Sequence, residues 1–260
     1  MRDLLYSEHQ PSEPDPVRRA QNAMARHHLP KRFYTDVSTA GSEGGFAILL
    51  DGRGARTPGR NRLALPTRAA AECLVAEWRA QEDVIDPARM HATRIANTAI
   101  DSFDGRIGEI QRDIAAYAAS DLVCYRASEP EGLVAAQNLH WNPVLDWAHD
   151  ALGARFILAE GIVHQAQPEP ALISVEAAAS RITQPIALAA MHVMTTMSGS
   201  CLIAMMAGAG ALSGEEAWRT STVDEEWNAS LWGWDEDALR RHAKRREEFL
   251  AAHALYRAIA

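Results

Sequence analysis

The sequence has little lysine and lacks the motifs that lysine usually serves. Lys31 and Lys244 are the only ammonium side chains, and neither follows a glycine, so the Gly-Lys-Ser/Thr core of a phosphate-binding P-loop is missing. Schiff-base chemistry would have to use one of these two side chains. We therefore expect no function that depends on a P-loop.

Cysteine is also scarce. Cys73, Cys124 and Cys201 are far apart and form no CxxC pair. This spacing indicates neither a zinc knuckle nor a redox dithiol, and it favours a reducing compartment. Cys73 and Cys201 lie in apolar sequence and are expected to be buried. No basic stretch followed by an apolar one opens the chain, so no secretory signal is predicted and a cytoplasmic location is expected.

Charge and hydropathy exclude two further classes. Asp and Glu outnumber Lys and Arg by 34 to 26, a net charge of −8, which argues against nucleic-acid binding. The apolar stretch 186–212 is divided by Ser198-Gly199-Ser200 into pieces too short to span a bilayer, so it predicts buried core helices rather than membrane insertion. No GxSxG, HExxH or EF-hand pattern occurs, so no enzyme, metal site or cofactor is predicted.

Two hydrophobic patterns divide the chain. Residues 31–66 have the short apolar runs of strands, and Asp51-Gly52 between two of them predicts a β-hairpin. Thr67 can cap a helix that continues to about Glu82 and packs on this sheet. The prediction is an α+β fold with three parts: an N-terminal extension at 1–30 that could form a helix over 17–28, a small domain of antiparallel sheet plus helix at 31–95, and a larger all-helical domain at 96–260.

The helical part has recognisable boundaries. The segment Leu133–Leu152 predicts a helix interrupted at Trp141-Asn142-Pro143. Ser213 with Glu216 fits a capping box that opens one helix reaching Trp232. Gly233 is expected to end that helix in the C′ position, and Asp235 to begin the last helix.

An acidic cluster beside tryptophans lies near the end of this predicted helix. Asp224, Glu225 and Glu226 would occupy its last two turns, where the helix dipole disfavours negative charge. Trp227 and Trp232 supply apolar anchors next to the acids, a combination typical of protein interfaces. The alternative is that the tryptophans lie in the core and the acids are solvated.

Over about residues 31–240 the sequence resembles the ATP12 family of F1-ATPase assembly chaperones. It departs from the family at His91, where proline is frequent, and at Asn228, where glutamine is frequent. The matching pieces, in chain order, are Arg32-Phe33-Tyr34, Leu50-Asp51-Gly52-Arg53 with Thr57-Pro58, Leu65-Pro66, Ala76-Glu77-Trp78 with Gln81, Ile85-Asp86-Pro87 with Met90, Trp141-Asn142-Pro143 with Trp147, Ser198-Gly199-Ser200, Asp224-Glu225, and Trp232-Gly233 with Asp235.

The resemblance implies a bacterial chaperone, not an enzyme, that works without ATP or a cofactor. It would bind the unassembled α subunit of F1 and shield its interface until the β subunit replaces the chaperone. It also implies a functional acid near the Trp-Gly segment, with Glu225 the first choice. A monomer is expected, because the client surface should stay unoccupied. The expected partner-binding residues are Asp224, Glu225, Glu226, Trp227, Trp232, Gly233 and Asp235.

Two other functions stay open from the residues alone. The first is a hydrolase that uses an acidic pair such as Glu225 with Asp235. The second is a generic helical scaffold, whose removal would leave ATP synthase assembly unchanged. A deep pocket with convergent carboxylates would favour the hydrolase, and a shallow, extended groove would favour the chaperone.

Overall fold

The computed structural model describes residues 29–160 and 165–260. Within these ranges a small antiparallel sheet comes first and α-helices form most of the remainder. The predicted α+β fold is thereby confirmed. The helix that the sequence allows over 17–28 lies outside the described residues.

The sheet is built around one central hairpin. Asp51 (φ 47°) and Gly52 (φ 76°) both have left-handed backbone conformations, as a two-residue type I′ turn requires, so the predicted hairpin is confirmed. The second strand pairs with all three others, in register Val37↔Leu50, Leu50↔Arg53 and Phe46↔Leu65. The strands are β1 (Val37–Ser42), β2 (Gly45–Leu50), β3 (Arg53–Gly54) and β4 (Ala64–Leu65).

Helices follow the sheet, with a short parallel pair, β5 (Tyr125–Arg126) and β6 (Ala159–Glu160), between them. Thr67 caps the first helix by accepting a hydrogen bond from the N–H of Ala70, as predicted. The helices are α1 (Arg68–Arg79), α2 (His91–Ser102), α3 (Ile107–Ala116), α4 (Glu131–Leu152), α5 (Glu169–Ser180), α6 (Pro185–Ser198), α7 (Cys201–Gly208), α8 (Gly214–Ser221), α9 (Val223–Trp232) and α10 (Glu236–Ile259).

The apolar stretch predicted as core forms the centre of the molecule. Every residue of α7 is buried, and α6 packs against α2, α3, α7 and α10. Gly199 (φ +69°) separates the two helices, and Ser200 caps α7 by accepting from the N–H of Ile203 at 3.0 Å. None of the described helices is both long and apolar enough to cross a bilayer.

One apolar core runs through both parts of the chain. It includes Ile48 and Leu74 from the sheet and α1, and Leu202 and Phe249 from the helices that follow. The predicted boundary between residues 95 and 96 falls inside α2, so the division into two domains stays a prediction. The thiols of all three cysteines are free; Cys124 and Cys201 are buried and Cys73 is half-buried.

The predicted interruption of the helix at residues 141–143 is wrong. The α4 helix is continuous from Glu131 to Leu152 with Pro143 inside it. Proline removes one N–H donor to the carbonyl four residues earlier. That residue, Leu139, is 71% exposed, so water can reach this side of the helix. Because the freed carbonyl lies on the exposed side, the helix tolerates the proline.

The prediction of one helix from Ser213 to Trp232 is also wrong. The capping box of Ser213 and Glu216 is confirmed, but the helix it opens, α8, ends at Ser221 and a new helix begins at Val223. The indole N–H of Trp141 donates to the carbonyl of Thr220 at 2.8 Å, which satisfies that carbonyl outside the helix. Side-chain and indole hydrogen bonds thus replace the helical ones at the break.

This break reverses the position of the acidic cluster. Asp224, Glu225 and Glu226 lie in the first turn of α9, not in the last two turns of a longer helix. There the helix dipole stabilises negative charge. The acids therefore suit the local backbone, and unfavourable placement is no longer a reason to assign them to a partner.

Candidate partner-binding site

Several of the motif residues hold the fold together. The half-buried carboxylate of Glu77 accepts hydrogen bonds from the backbone N–H groups of Ala92 and Thr93, at 2.7 and 2.8 Å, and from the Thr93 hydroxyl at 2.8 Å. These donors are at the start of α2, whose first N–H groups have no partner within the helix. Burial raises the pKa of the Glu77 carboxyl, while these hydrogen bonds oppose the shift. Glu77 thus fastens α2 to α1.

The neighbouring motif residues fasten the end of α1 to the segments around it. The Tyr34 hydroxyl donates to the carbonyl of Trp78 at 2.8 Å, and the guanidinium of Arg32 donates to the carbonyl of Gln81. The side-chain oxygen of Gln81 accepts from the N–H of Asp86 at 2.7 Å. These five residues are engaged within the chain, so we look elsewhere for the partner surface.

Two of the predicted partner-binding residues also face inward. Asp224 accepts a hydrogen bond at 2.7 Å from the amide of Gln137, which is buried in α4. The ring of Trp227 lies on Gly132, so closely that a Cβ at that glycine would be 2.3 Å from Trp227 Cη2. Both contacts fix α9 against α4.

The other side of α9 forms a cleft with the first half of α10. The cleft has a volume of about 500 Å³. It brings together four predicted residues, Glu225, Trp232, Gly233 and Asp235, and adds basic side chains that the sequence prediction did not include. The added residues are Arg241, His242 and Arg245.

Trp232 is the most exposed large apolar side chain of this region. It is 85% exposed, and its neighbour Leu231 is 56% exposed. The following Gly233 has φ 78° and ψ 171°, a conformation that is essentially restricted to glycine. Asp235 then caps α10 by accepting from the N–H groups of Asp237 and Ala238, at 3.0 and 2.9 Å. The turn holds Trp232 at the open end of the helix pair.

Glu225 joins the cleft to the core through Arg245. Its carboxylate lies 3.0 Å from one guanidinium nitrogen, and the other nitrogen donates to the carbonyl of Met197 at the end of α6. The same guanidinium lies over the ring of Trp218, 5.5 Å from its centroid. Both side chains of the ion pair are about two-fifths exposed, so a partner could approach either charge.

Glu226 lies 3.5 Å from Nε2 of His242, whose side chain is only 12% exposed. That imidazole lies between two indoles, 5.2 Å from Trp218 and 4.8 Å from Trp234, measured between ring centroids. Its Nε2 atom makes no hydrogen bond.

The basic side of the cleft could have been found from sequence. The last helix changes from acidic to basic along its length, and helical spacing puts Arg241 and Arg245 four residues apart on one face. The sequence predicted the end of α9 at Gly233, but not the direction of α10 after it, which places this face against the acids of α9.

The geometry does not support catalysis by Glu225 and Asp235. The first carboxylate is paired with Arg245, and the second accepts two backbone hydrogen bonds as a helix cap. Both carboxylates are therefore engaged in contacts within the chain. In the part of the chain that the structure describes, no group of three or more His, Cys, Asp or Glu side chains could hold a metal ion.

Comparisons with known proteins agree on one family. The family model for the ATP12 chaperone protein matches residues 31–149. A candidate chaperone from Agrobacterium tumefaciens has a crystal structure that superposes with a TM-score of 0.85 at 46% identity, covering 96% of this chain and 93% of that one. Atp12 from Paracoccus denitrificans superposes with a TM-score of 0.81 at 35% identity, covering 89% and 99%. An aspartate-to-lysine mutant of the Paracoccus protein gives 0.81 at 34%, covering 89% and 98%.

Proposed function

The chain belongs to the ATP12 chaperone family, and from that premise we propose that it is an F1-ATPase assembly chaperone that binds the unassembled α subunit. It covers the interface of that subunit until the β subunit replaces it. An unassembled subunit exposes apolar surface that is prone to aggregation. A protein that masks this surface needs exposed anchors rather than a catalytic pocket.

One observation carries the proposal: Trp232 is 85% exposed at the edge of a cleft with charged groups of both signs. Tryptophan is strongly enriched among the residues that dominate interface energetics. A large indole in water is unfavourable unless a partner covers it. The charged rim, with Glu225 and Arg245, would keep the contact reversible, because polar rims contribute modestly to affinity.

The predicted residues divide into two roles in this proposal. Trp232, Glu225 and Glu226 contact the client. Gly233 and Asp235 set the turn that presents the indole, while Asp224 and Trp227 fix α9 to α4. The protein acts as a monomer in the bacterial cytoplasm, so that this surface is available to newly made subunits.

A competing scaffold function has no supporting feature beyond the helical fold. It predicts no loss of assembled ATP synthase when the protein is removed. The hydrolase hypothesis is weakened because both of its candidate carboxylates are engaged within the chain, Glu225 by Arg245 and Asp235 by the N–H of Asp237. The chaperone is the function that the geometry and the family support together.

The proposal is tested by co-expression with the F1 α subunit of the same organism, with the β subunit expressed as a matched control. Affinity capture of the tagged chain should recover α without β. Adding β to the captured complex should release the chain from α. Recovery of β in equal amount, or no recovery of either subunit, would contradict the proposal.

A further inference from the structure

A second charged surface lies far along the sequence from the Trp232 cleft. We name residues 53–62 the arginine hairpin, because Arg53, Arg56, Arg60 and Arg62 are all exposed there and the segment contains no acidic residue. It begins with β3 and ends just before β4. In a chain of net charge −8, such a local excess of positive charge needs an explanation.

Within the described residues the four arginines make no ion pair. Some arginines elsewhere do pair with carboxylates, as Arg94 does with Glu248 at 2.7 Å and Arg245 does with Glu225 at 3.0 Å. Among residues 29–160 and 165–260, no carboxylate lies within ion-pair distance of any arginine of the hairpin. Their charge is therefore available to an external partner.

Two features of the hairpin are unfavourable for the isolated fold. Arg56 and Arg62 face each other across an antiparallel bridge, and like charges in that position destabilise strand pairing. Arg60 has φ +66°, a left-handed conformation in which glycine or asparagine would be less strained. Local rules that are broken without a compensating contact are expected at functional surfaces.

The hairpin is nevertheless held rigidly. Asp101 of α2 accepts hydrogen bonds from the Thr57 hydroxyl at 2.6 Å, the N–H of Gly59 at 2.8 Å and the amide of Asn61 at 2.8 Å. The carboxylate of Asp101 thus fixes the turn and does not neutralise the arginines. Because the backbone of this turn is already held in place, docking does not have to order it, which lowers the conformational entropy lost on binding.

Arg56 and Arg62 also line a cleft on the outer face of the sheet. Its volume is about 340 Å³. Small residues of the strands, among them Ala40 and Gly54, line the same cleft. Arg56 is oriented by donating to the carbonyl of Arg60 at 2.8 Å. The cleft has the size and the charge to receive a carboxylate-bearing side chain.

We propose that the arginine hairpin is a second docking surface that receives an Asp/Glu-rich segment of the protein client. Guanidinium groups pair with carboxylates through two parallel hydrogen bonds. The hairpin contains no aromatic residue to stack on bases and no large apolar one to enter a bilayer. The inference rests on the proposed function in taking the client to be a protein.

The test measures binding of a fluorescein-labelled oligoglutamate peptide to the full chain by fluorescence anisotropy. The double variant Arg56→Gln/Arg62→Gln should bind the peptide about tenfold more weakly than the wild type, because two charge-assisted contacts are lost. The variant Arg89→Gln/Arg112→Gln is the matched control, since both arginines are exposed on other elements, and it should bind like the wild type. The Arg56→Lys/Arg62→Lys variant keeps the positive charges but loses the forked guanidinium groups. Its affinity for the peptide should lie between those of the wild type and of Arg56→Gln/Arg62→Gln.

Thermal unfolding separates binding from folding. Removing two facing like charges should leave the midpoint of Arg56→Gln/Arg62→Gln unchanged or raised, which a structural role for these arginines would not produce. Equal peptide affinity in wild type and this variant, or a lowered midpoint that accounts for the loss, would overturn the proposal. So would tighter binding of a short duplex DNA or of phosphatidylglycerol vesicles than of the peptide.

A second experiment, capture of the α subunit, distinguishes failure of the docking-surface proposal from failure of the proposed client. If the peptide binds through the hairpin but the wild type does not capture the α subunit, the docking surface is supported and the proposed client is wrong. If the α subunit is captured equally by wild type and Arg56→Gln/Arg62→Gln, the hairpin is not a client contact and the inference fails.

Discussion

Glu77-Trp78 and Glu225 with Trp232 have the same residue types in two regions of the molecule but serve different purposes. The Glu77 carboxylate accepts three hydrogen bonds from the start of α2, and the backbone of Trp78 is held by Tyr34. The Glu225 carboxylate makes one half-exposed ion pair, and Trp232 is 85% exposed. The two pairs contain the same residue types. They differ in how far their contacts are buried, and this separates the pair that holds the fold together from the pair on the surface.

The difference shows how motif residues should be interpreted in this fold. Residues that carry a family resemblance are not all client contacts; those around α1 make up an internal network that joins the sheet to the helices. Substitutions there should lower stability, and substitutions around Trp232 should lower client capture at unchanged stability. This separation can be tested quantitatively.

The largest effect is expected from Glu77→Ala. It leaves two backbone N–H groups and one hydroxyl without their acceptor, and we expect the free energy of unfolding to fall by about 3 kcal/mol. Chemical denaturation measures it. Glu72→Ala on the exposed side of the same helix is the control and should change stability by less than about 0.5 kcal/mol. Equal stability of Glu77→Ala and Glu72→Ala would contradict the role of Glu77 in holding the fold together.

Trp232→Ala should have the next largest effect, but on binding. Loss of an exposed aromatic anchor should weaken capture of the α subunit by about 2 kcal/mol, or roughly 30-fold, with the unfolding midpoint unchanged. Trp227→Ala is the matched control in the same helix, because its ring packs on Gly132 and its loss should lower stability instead. Capture of the α subunit by Trp232→Ala at the wild-type level would contradict the assignment of Trp232 as a client contact.

Gly233→Ala tests the backbone turn that presents Trp232. No atom lies within 4 Å of the Cβ it would add, so the whole effect is conformational strain at φ +78°, expected to be about 1–2 kcal/mol. Relief of that strain should turn Trp232 away and weaken capture. Gly153→Ala, at φ +70° after α4, should lower stability without affecting capture by the folded protein. Indistinguishable capture by the two variants would contradict this role.

Acid titration should reveal the raised pKa of Glu77. Because the folded pKa of Glu77 is raised, the folded state holds its proton more tightly than the unfolded chain does. Stability should therefore fall as the pH rises from about 4.3, the ordinary glutamate pKa, through the raised value, and stay constant above it. The Glu77→Gln variant should lack this pH-dependent contribution to stability. Asp121 is fully buried and its pKa is also raised, so its own contribution should remain in both proteins. Parallel pH profiles for wild type and Glu77→Gln would contradict it.

The smallest effects are expected at Glu225 and Glu226. A half-exposed ion pair contributes less than about 1 kcal/mol, so Glu225→Gln and Glu226→Gln should fold normally. Each should weaken α-subunit capture by a few-fold, because a rim charge is lost. Normal capture by both variants in a pull-down would show that these acids are not client contacts.

Much of this fold could be predicted from local sequence rules, because the decisive features are local. The hairpin at Asp51-Gly52, the cap at Thr67 and the capping box at Ser213 each depend on residues within a few positions. The division of the apolar stretch at Ser198-Gly199-Ser200 is local as well, because Gly199 at φ +69° separates α6 from α7. Such features need no knowledge of distant contacts.

The failures came from contacts between distant residues. The helix break before Val223 depends on the Trp141 indole, 79 positions from the carbonyl it satisfies. No local rule could distinguish inward-facing Trp227 from exposed Trp232, because the choice is made by Gly132 on another helix. The basic wall of the cleft was missed for the same reason, since the turn at Gly233 brings Arg245 to Glu225.

Site-specific photocrosslinking tests the central claim, that Trp232 touches the client, most directly. A photoreactive phenylalanine analogue at position 232 is compared with the same group at Leu139, which is apolar and 71% exposed on α4. Irradiation of the complex with the F1 α subunit should give a covalent adduct from position 232 and none from position 139. The account is contradicted if the complex forms but position 232 gives no adduct, or if both positions react equally.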